Sequence, residues 1–193
     1  MSTPPGEYYT AERWENWLER LRDEEVDLEE EDSARLLFNM RDDTAIAVAK
    51  VLTDYDDGEI DAETARGKLE EIADIVLDEV EFEDEDKQFI VGNAQESLRC
   101  VLYAAQEYVA GGPAEEASAV EYVQAAVDAE AEDDLDAALV FSAKAGTRVV
   151  EGDDIDVDLP EDAEYGLVGD WVDGLNSLAM ALSDPEVVEE DDE

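Results

Sequence analysis

Apolar residues recur along most of this chain at intervals of three and four, which is the spacing of one face of an α-helix. One such stripe, from Leu36 to Tyr55, keeps its period for five turns. Two-residue alternation, which is typical of strands, occurs near Ile155, but so few residues do not form a stable unpaired strand. The pattern therefore predicts an all-α protein.

We predict about seven helices that form a single-domain, antiparallel bundle. Thr10, Asp61 and Asp84 stand where the first, third and fourth helices need N-caps. The fourth helix is apolar on every face between Cys100 and Ala105, so we expect it at the centre of the bundle. The predicted helical regions are approximately 11–25, 36–55, 61–80, 85–110, 113–131, 135–150 and 161–182, with an extended connector over 151–160.

The chain divides into an N-terminal arm (1–9), the helical bundle (10–183) and an acidic tail (184–193) that we expect to be disordered. Within the bundle, residues 122–146 resemble one helical hairpin of the tetratricopeptide type, with Ala138 and Ala145 at its small-residue positions. No second copy follows at a 34-residue period, so a repeat array is not expected.

The charge of the chain is extreme, with 58 acidic against 12 basic residues and a formal net charge of -46. The acids are spread over the whole length, a composition that resembles the proteins of haloarchaea that accumulate salt. In molar salt the Debye length falls to about 3 Å, so like charges no longer repel and carboxylates keep the surface hydrated. We expect folding to depend on salt.

Binding to nucleic acid is not expected, because the basic residues near Arg13 and Arg20 alternate with glutamates instead of forming a patch. The converse hypothesis, that the acidic surface imitates nucleic acid, finds no localised cluster to support it.

The sequence is typical of a soluble, cytoplasmic protein. The N-terminus lacks the basic and apolar regions of a signal peptide, and no run of about eighteen apolar residues could span a membrane. The single cysteine, Cys100, cannot form an internal disulfide, which fits a reducing compartment, and we expect it to be buried.

The chain contains no histidine, which excludes Ser-His-Asp and Cys-His catalysis and the common zinc sites that use imidazole. The acidic string from Asp54 to Asp61 suggests a calcium loop, but its register places Thr53, Tyr55 and Thr64 where anionic ligands are needed. We therefore predict no cofactor and no catalytic residue.

One enzymatic alternative remains. Glu12, Glu15, Glu29 and Asp32 match the ExxE and ExxD pairs with which all-helical nucleotide pyrophosphohydrolases hold magnesium. The pattern is loose in a chain this acidic, and no nearby cluster of Lys or Arg would neutralise a triphosphate. This reading is the alternative to a non-catalytic role.

Aromatic residues concentrate in the first seventeen residues of the chain, and residues of this type dominate interface energetics. Trp14, Trp17 and Leu21 share a face of the first helix, and Trp171 lies on the apolar face of the last helix. Either these faces dock on the bundle itself or they bind a partner or a second copy. The four residues are the partner-binding candidates.

Four stretches carry a resemblance to a known family: YYTAERWENWLERL, DDTAIAVAKVLTDYDDGEID, SLRCVLYAAQEYVAGG and EYGLVGDWVDGLNSLAMALSDPEVVEEDD. Together they resemble an uncharacterised archaeal family, abundant in halophiles, that is known only as a domain of unknown function. The resemblance implies provenance and carries over no site residues. From the sequence we expect a non-catalytic, cytosolic protein-interaction or regulatory protein adapted to high salt.

Overall fold

The computed structural model describes residues 8–183 and confirms the all-α prediction. That range contains no strand, and its helices are α1 (Ala11–Asp23), α2 (Glu31–Asp56), α3 (Ala62–Val76), α4 (Glu85–Gly111), α5 (Ala119–Ala131), α6 (Leu135–Glu151), α7 (Glu161–Glu164) and α8 (Leu167–Ser183). Most of the predicted arm and all of the predicted tail lie outside the described residues.

Helix α4 is the centre of the bundle, as its apolar faces predict. Cys100, Leu102 and Ala105 point in different directions around α4 and are all buried. The helix contributes to both clusters of buried side chains. One cluster is shared with α1, α2, α3 and the end of α8, and the other with α5, α6 and the first part of α8. An α-helix that is apolar all round can be stable only with neighbours on every side.

The last part of the bundle differs from a purely antiparallel arrangement. The contacts Asn93–Asp170 and Ser97–Gly174 advance along both helices together, so α8 runs in the same direction as α4. The connector over 152–160 makes this possible. The connector begins beside the start of α5, where the Asp153 carboxylate accepts from the Ala119 N–H. It then runs along α5 to the end of that helix, where the Leu167 N–H of α8 donates to Glu130.

Several helix boundaries differ from the prediction; α2, for example, begins at Glu31, five residues earlier than expected. Helix α5 begins at Ala119 and not at Pro113, because Ser118 and Glu121 form a capping box there. The last predicted helix is broken into α7 and α8 at Tyr165 and Gly166. Helix α3 ends at Val76, so Val80 is not in a helix as predicted but in the segment that leads to α4.

Helices α5 and α6 form the predicted hairpin, joined by residues 132–134 and packed through small residues such as Ala138. Its closer likeness to a tetratricopeptide unit is not confirmed. Within residues 8–183 no helix is both long and apolar enough to cross a membrane.

Candidate functional site

The aromatic face of α1 is attached to the bundle of its own chain. Trp14 and Leu21 are buried, with 3% and 0% of their surface exposed. Trp17 is half-buried, and its indole N–H donates to Asp43 on α2 at 2.8 Å. Arg13 forms an ion pair with the same carboxylate. A partner therefore has no access to Trp14 and Leu21 in the folded protein.

Trp171 is also inside the bundle. It is buried in the cluster formed by α4, α5, α6 and α8, and its indole N–H faces the Glu96 carboxylate at 3.5 Å. The side chain therefore packs α8 against α4 and offers no docking surface.

The structure does not gather the four carboxylates of the enzymatic alternative into a ligand set. Glu15 forms an ion pair with Arg22 at 2.6 Å, and Asp32 lies 3.9 Å from Arg35. In the described range no three Asp, Glu, Cys or His side chains lie close enough together to hold a metal ion. Magnesium-dependent hydrolysis by these residues thus gains no support from the geometry.

A different feature stands out between α3 and α4. Two glutamines of α4 hold the linking segment, which we define as residues 77–84, by its main chain. The Gln95 amide donates to the carbonyls of Val76 and Asp78, at 3.0 and 2.8 Å. The Gln88 amide donates to the Val80 carbonyl at 3.2 Å and accepts from the Phe82 N–H at 2.7 Å. One edge of the segment is thereby fixed.

The middle of the linking segment, residues 79–82, is extended, and the segment runs antiparallel to α4. Gln88 and Gln95 are seven residues apart, which is about 10.5 Å along a helix. The groups they hold are centred near residues 81 and 77, so the segment advances roughly 2.6 Å per residue, closer to a strand than to a helix.

The opposite edge of the segment has no hydrogen-bond partner among residues 8–183. The carbonyls of Asp78 and Val80 and the Phe82 N–H face α4. In an extended chain the N–H and carbonyl groups of residues 79 and 81 must point the other way. Across the described residues neither the Glu79 nor the Glu81 N–H donates a hydrogen bond. Within the described part of the chain, no other segment pairs with this edge of the extended residues.

The side chains alternate as they do in a strand. Val80 and Phe82 are half-buried against the core, whereas Glu79, Glu81 and Glu83, which we call the glutamate row, are exposed. The glutamate row borders a cleft of about 760 Å³ between the linking segment and α4, together with Leu77, Val80, Phe82, Gln88, Gln95 and Arg99. The row is therefore open to solvent along its length.

The sequence contained a signal for this feature. Glu79-Val-Glu-Phe-Glu83 alternates acid and apolar residues strictly, which indicates an extended chain. The helical spacing from Ala65 to Val76 also fits Val80, and that coincidence extended the predicted helix too far. No sequence pattern showed that Gln88 and Gln95 would hold the segment.

A second polar cluster joins α2 to α8. Arg41 is 6% exposed; its Nε donates to the Ser177 hydroxyl at 3.0 Å, and its guanidinium lies over the Phe38 ring. Burial lowers the pKa of Arg41. Burial also raises the pKa of Asp170 and of Asp173, which lie beside it. Because Arg41 is nearly enclosed, we regard this cluster as a connection between helices.

Comparison with known proteins gives one match. A family model described as "Uncharacterized protein conserved in archaea (DUF2150)" covers residues 7–191. No curated protein and no solved structure matches the chain.

Proposed function

The chain belongs to this archaeal family (DUF2150), and from its own surface we propose that it is a non-catalytic, cytosolic protein-interaction protein adapted to high salt. One observation carries the proposal: an extended segment is held along one edge by glutamines, while no group of residues 8–183 bonds to its other edge. An edge of this kind can bind an extended peptide by main-chain hydrogen bonds, which is how several peptide-recognition domains work.

Two features make the linking segment suited to binding. The glutamine hydrogen bonds keep it extended before a partner arrives, so binding does not have to order it. The side chains of Val80 and Phe82 also hold the linking segment in place by packing against the core. The partner therefore meets a surface that is already arranged.

The adaptation to salt rests on the charge of -46. Surface carboxylates with so few cations repel one another at low ionic strength, and molar salt removes that repulsion. We propose that the protein works in a medium of that kind.

The proposal is tested by replacing Glu81 with proline. Proline has no N–H, and its φ suits an extended chain, so Glu81→Pro removes a donor from the free edge without breaking an internal hydrogen bond. Glu81→Gln is the matched control, because it removes the same charge and keeps the N–H. Both tagged proteins, and the wild type, would be cross-linked in molar KCl lysate and their partners quantified by mass spectrometry.

We expect one partner to be recovered by the wild type and by Glu81→Gln, and about tenfold less of it by Glu81→Pro, since one or two main-chain hydrogen bonds are lost. Circular dichroism and thermal melting would show that the proline variant is folded. Equal recovery of every partner by all three proteins would contradict the proposal.

A further inference from the structure

We propose that the free edge of the linking segment takes an extended segment of another protein in which Lys or Arg occupies every second position. The inference rests on the proposed function and names the chemistry of the partner. It follows from two observations together. The main-chain groups of residues 79 and 81 have no hydrogen-bond partner in the described range, and the glutamate row is regularly spaced.

The spacing of the glutamate row selects the partner's sequence. Alternate residues of a strand lie about 6.6 Å apart on one face, and the residues of a neighbouring strand lie opposite them at about 5 Å. A partner strand on the free edge would place every second side chain beside Glu79, Glu81 and Glu83. Opposite charges in such cross-strand pairs stabilise the pairing and like charges destabilise it.

The same rule makes a second copy of this chain an unsuitable occupant. Antiparallel pairing of two linking segments would place glutamates opposite glutamates. Acidic side chains along an exposed edge prevent edge-to-edge association in many proteins. Charge complementarity therefore favours a basic partner over self-association.

High salt leaves this recognition intact. The Debye length at 1 M salt is about 3 Å, so attraction between a distant polycation and the acidic surface is screened. A charged hydrogen bond between a Lys or Arg and a carboxylate, at about 2.8 Å, lies within that length. Measurements in molar KCl thus separate contact pairing from general attraction.

The test measures binding of labelled peptides to the full chain in 1 M KCl by fluorescence anisotropy. The probe is an eight-residue peptide that alternates Lys with Thr, a residue that favours strands. The first control peptide has the same residues in two blocks of four. The second has N-methyl groups on alternate main-chain nitrogens, which remove the donors for strand pairing.

The protein variants compare two charge reversals of equal size. Glu81→Lys lies in the glutamate row, and Glu70→Lys lies on the exposed face of α3 outside the cleft. We expect the alternating peptide to bind the wild type at least about fivefold more tightly than Glu81→Lys, with less than about a twofold change for Glu70→Lys. Both control peptides should bind more weakly than the probe.

Four results would overturn the inference. Equal weakening by Glu81→Lys and Glu70→Lys would show general electrostatic attraction only. If the control peptide with two blocks of four residues binds as tightly as the alternating peptide, the protein does not recognise the alternation of Lys and Thr. A dimer of the wild type that Glu81→Pro dissociates would identify the occupant as a second copy. If Glu81→Pro loses its cellular partner while no basic peptide binds, the proposed function stands and only the partner chemistry is wrong.

Discussion

At the scale of single residues, the acids of this protein serve different purposes in different places. Asp61 and Glu121 cap helices, and hydrogen bonds from the N–H and hydroxyl groups of Thr64 and Ser118 respectively lower their pKa. The Arg148 guanidinium holds the pKa of Asp153 below its usual range. Asp170 differs, because burial raises its pKa.

The raised pKa of Asp170 predicts the effect of Asp170→Asn. The folded state binds this proton more tightly than the unfolded chain, so the stabilisation is complete below pH about 3.9 and is lost as pH rises through the raised folded pKa. Asparagine keeps an oxygen that can accept from Asn93. We expect Asp170→Asn to raise the free energy of unfolding at pH 7 more than at pH 4, by urea denaturation in molar KCl.

Asp128→Asn is the control for that measurement. Asp128 is exposed on α5, and its replacement changes the net charge by the same amount. The two variants should differ in their pH dependence. If Asp128→Asn shows the same gain at pH 7, general relief of repulsion explains the effect and the burial of Asp170 does not.

At the scale of helices, most of the fold could be predicted because the helices around α4 bury regular stripes of apolar residues, while α4 itself is apolar on every face. Sequence periodicity cannot tell whether a stripe such as that of α1 faces the same chain or a partner, because both give the same spacing. It also left open whether the last predicted helix, which contains several glycines, is broken. At the break before α8 the carboxylate of Glu130 accepts from the Leu167 N–H, a contact between residues far apart in the chain.

Two glycines of the last predicted helix have different structural roles. Gly166 lies at the break. At Gly174 a Cβ atom would lie 2.4 Å from the Ser97 carbonyl oxygen of α4. That separation is too short for any side chain, so Gly174 sets how closely α8 approaches the central helix.

Gly174→Ala should therefore destabilise the protein by about 2 kcal/mol, because α8 must move away from α4. Gly67→Ala is the matched control. Gly67 lies inside α3 with open space where its Cβ would be, so alanine should stabilise the protein by about 0.5–1 kcal/mol through helix propensity. Urea denaturation of both variants in molar KCl measures the difference. A neutral or favourable Gly174→Ala would contradict the close packing of α8.

At the scale of the whole molecule, the large negative charge is evident from the sequence, but the charge alone does not show which carboxylates form a functional site. The glutamate row shows why. Its residues belong to the same acidic excess as all other carboxylates, and only their position along an unpaired edge distinguishes them. Composition could therefore suggest an environment, whereas the candidate site became visible from hydrogen bonds to Gln88 and Gln95.

The net charge predicts that stability depends on salt. Because repulsion between carboxylates is screened as KCl rises, the melting midpoint should increase by several degrees between 0.1 and 2 M KCl. The increase should begin below about 0.5 M, where screening changes fastest and effects on water structure are small. A midpoint that is the same at 0.1 and 2 M KCl, by circular dichroism, would show that the charge does not strain the fold.

The most direct test of the free edge is amide hydrogen exchange measured by NMR in molar KCl, with and without the bound partner or the alternating Lys-Thr peptide. We expect the Glu79 and Glu81 amides to exchange at least about tenfold more slowly in the complex, because each gains a hydrogen bond, while the Phe82 amide, already bonded to Gln88, changes little. Unchanged exchange at residues 79 and 81 in a saturated complex would contradict strand addition at this edge.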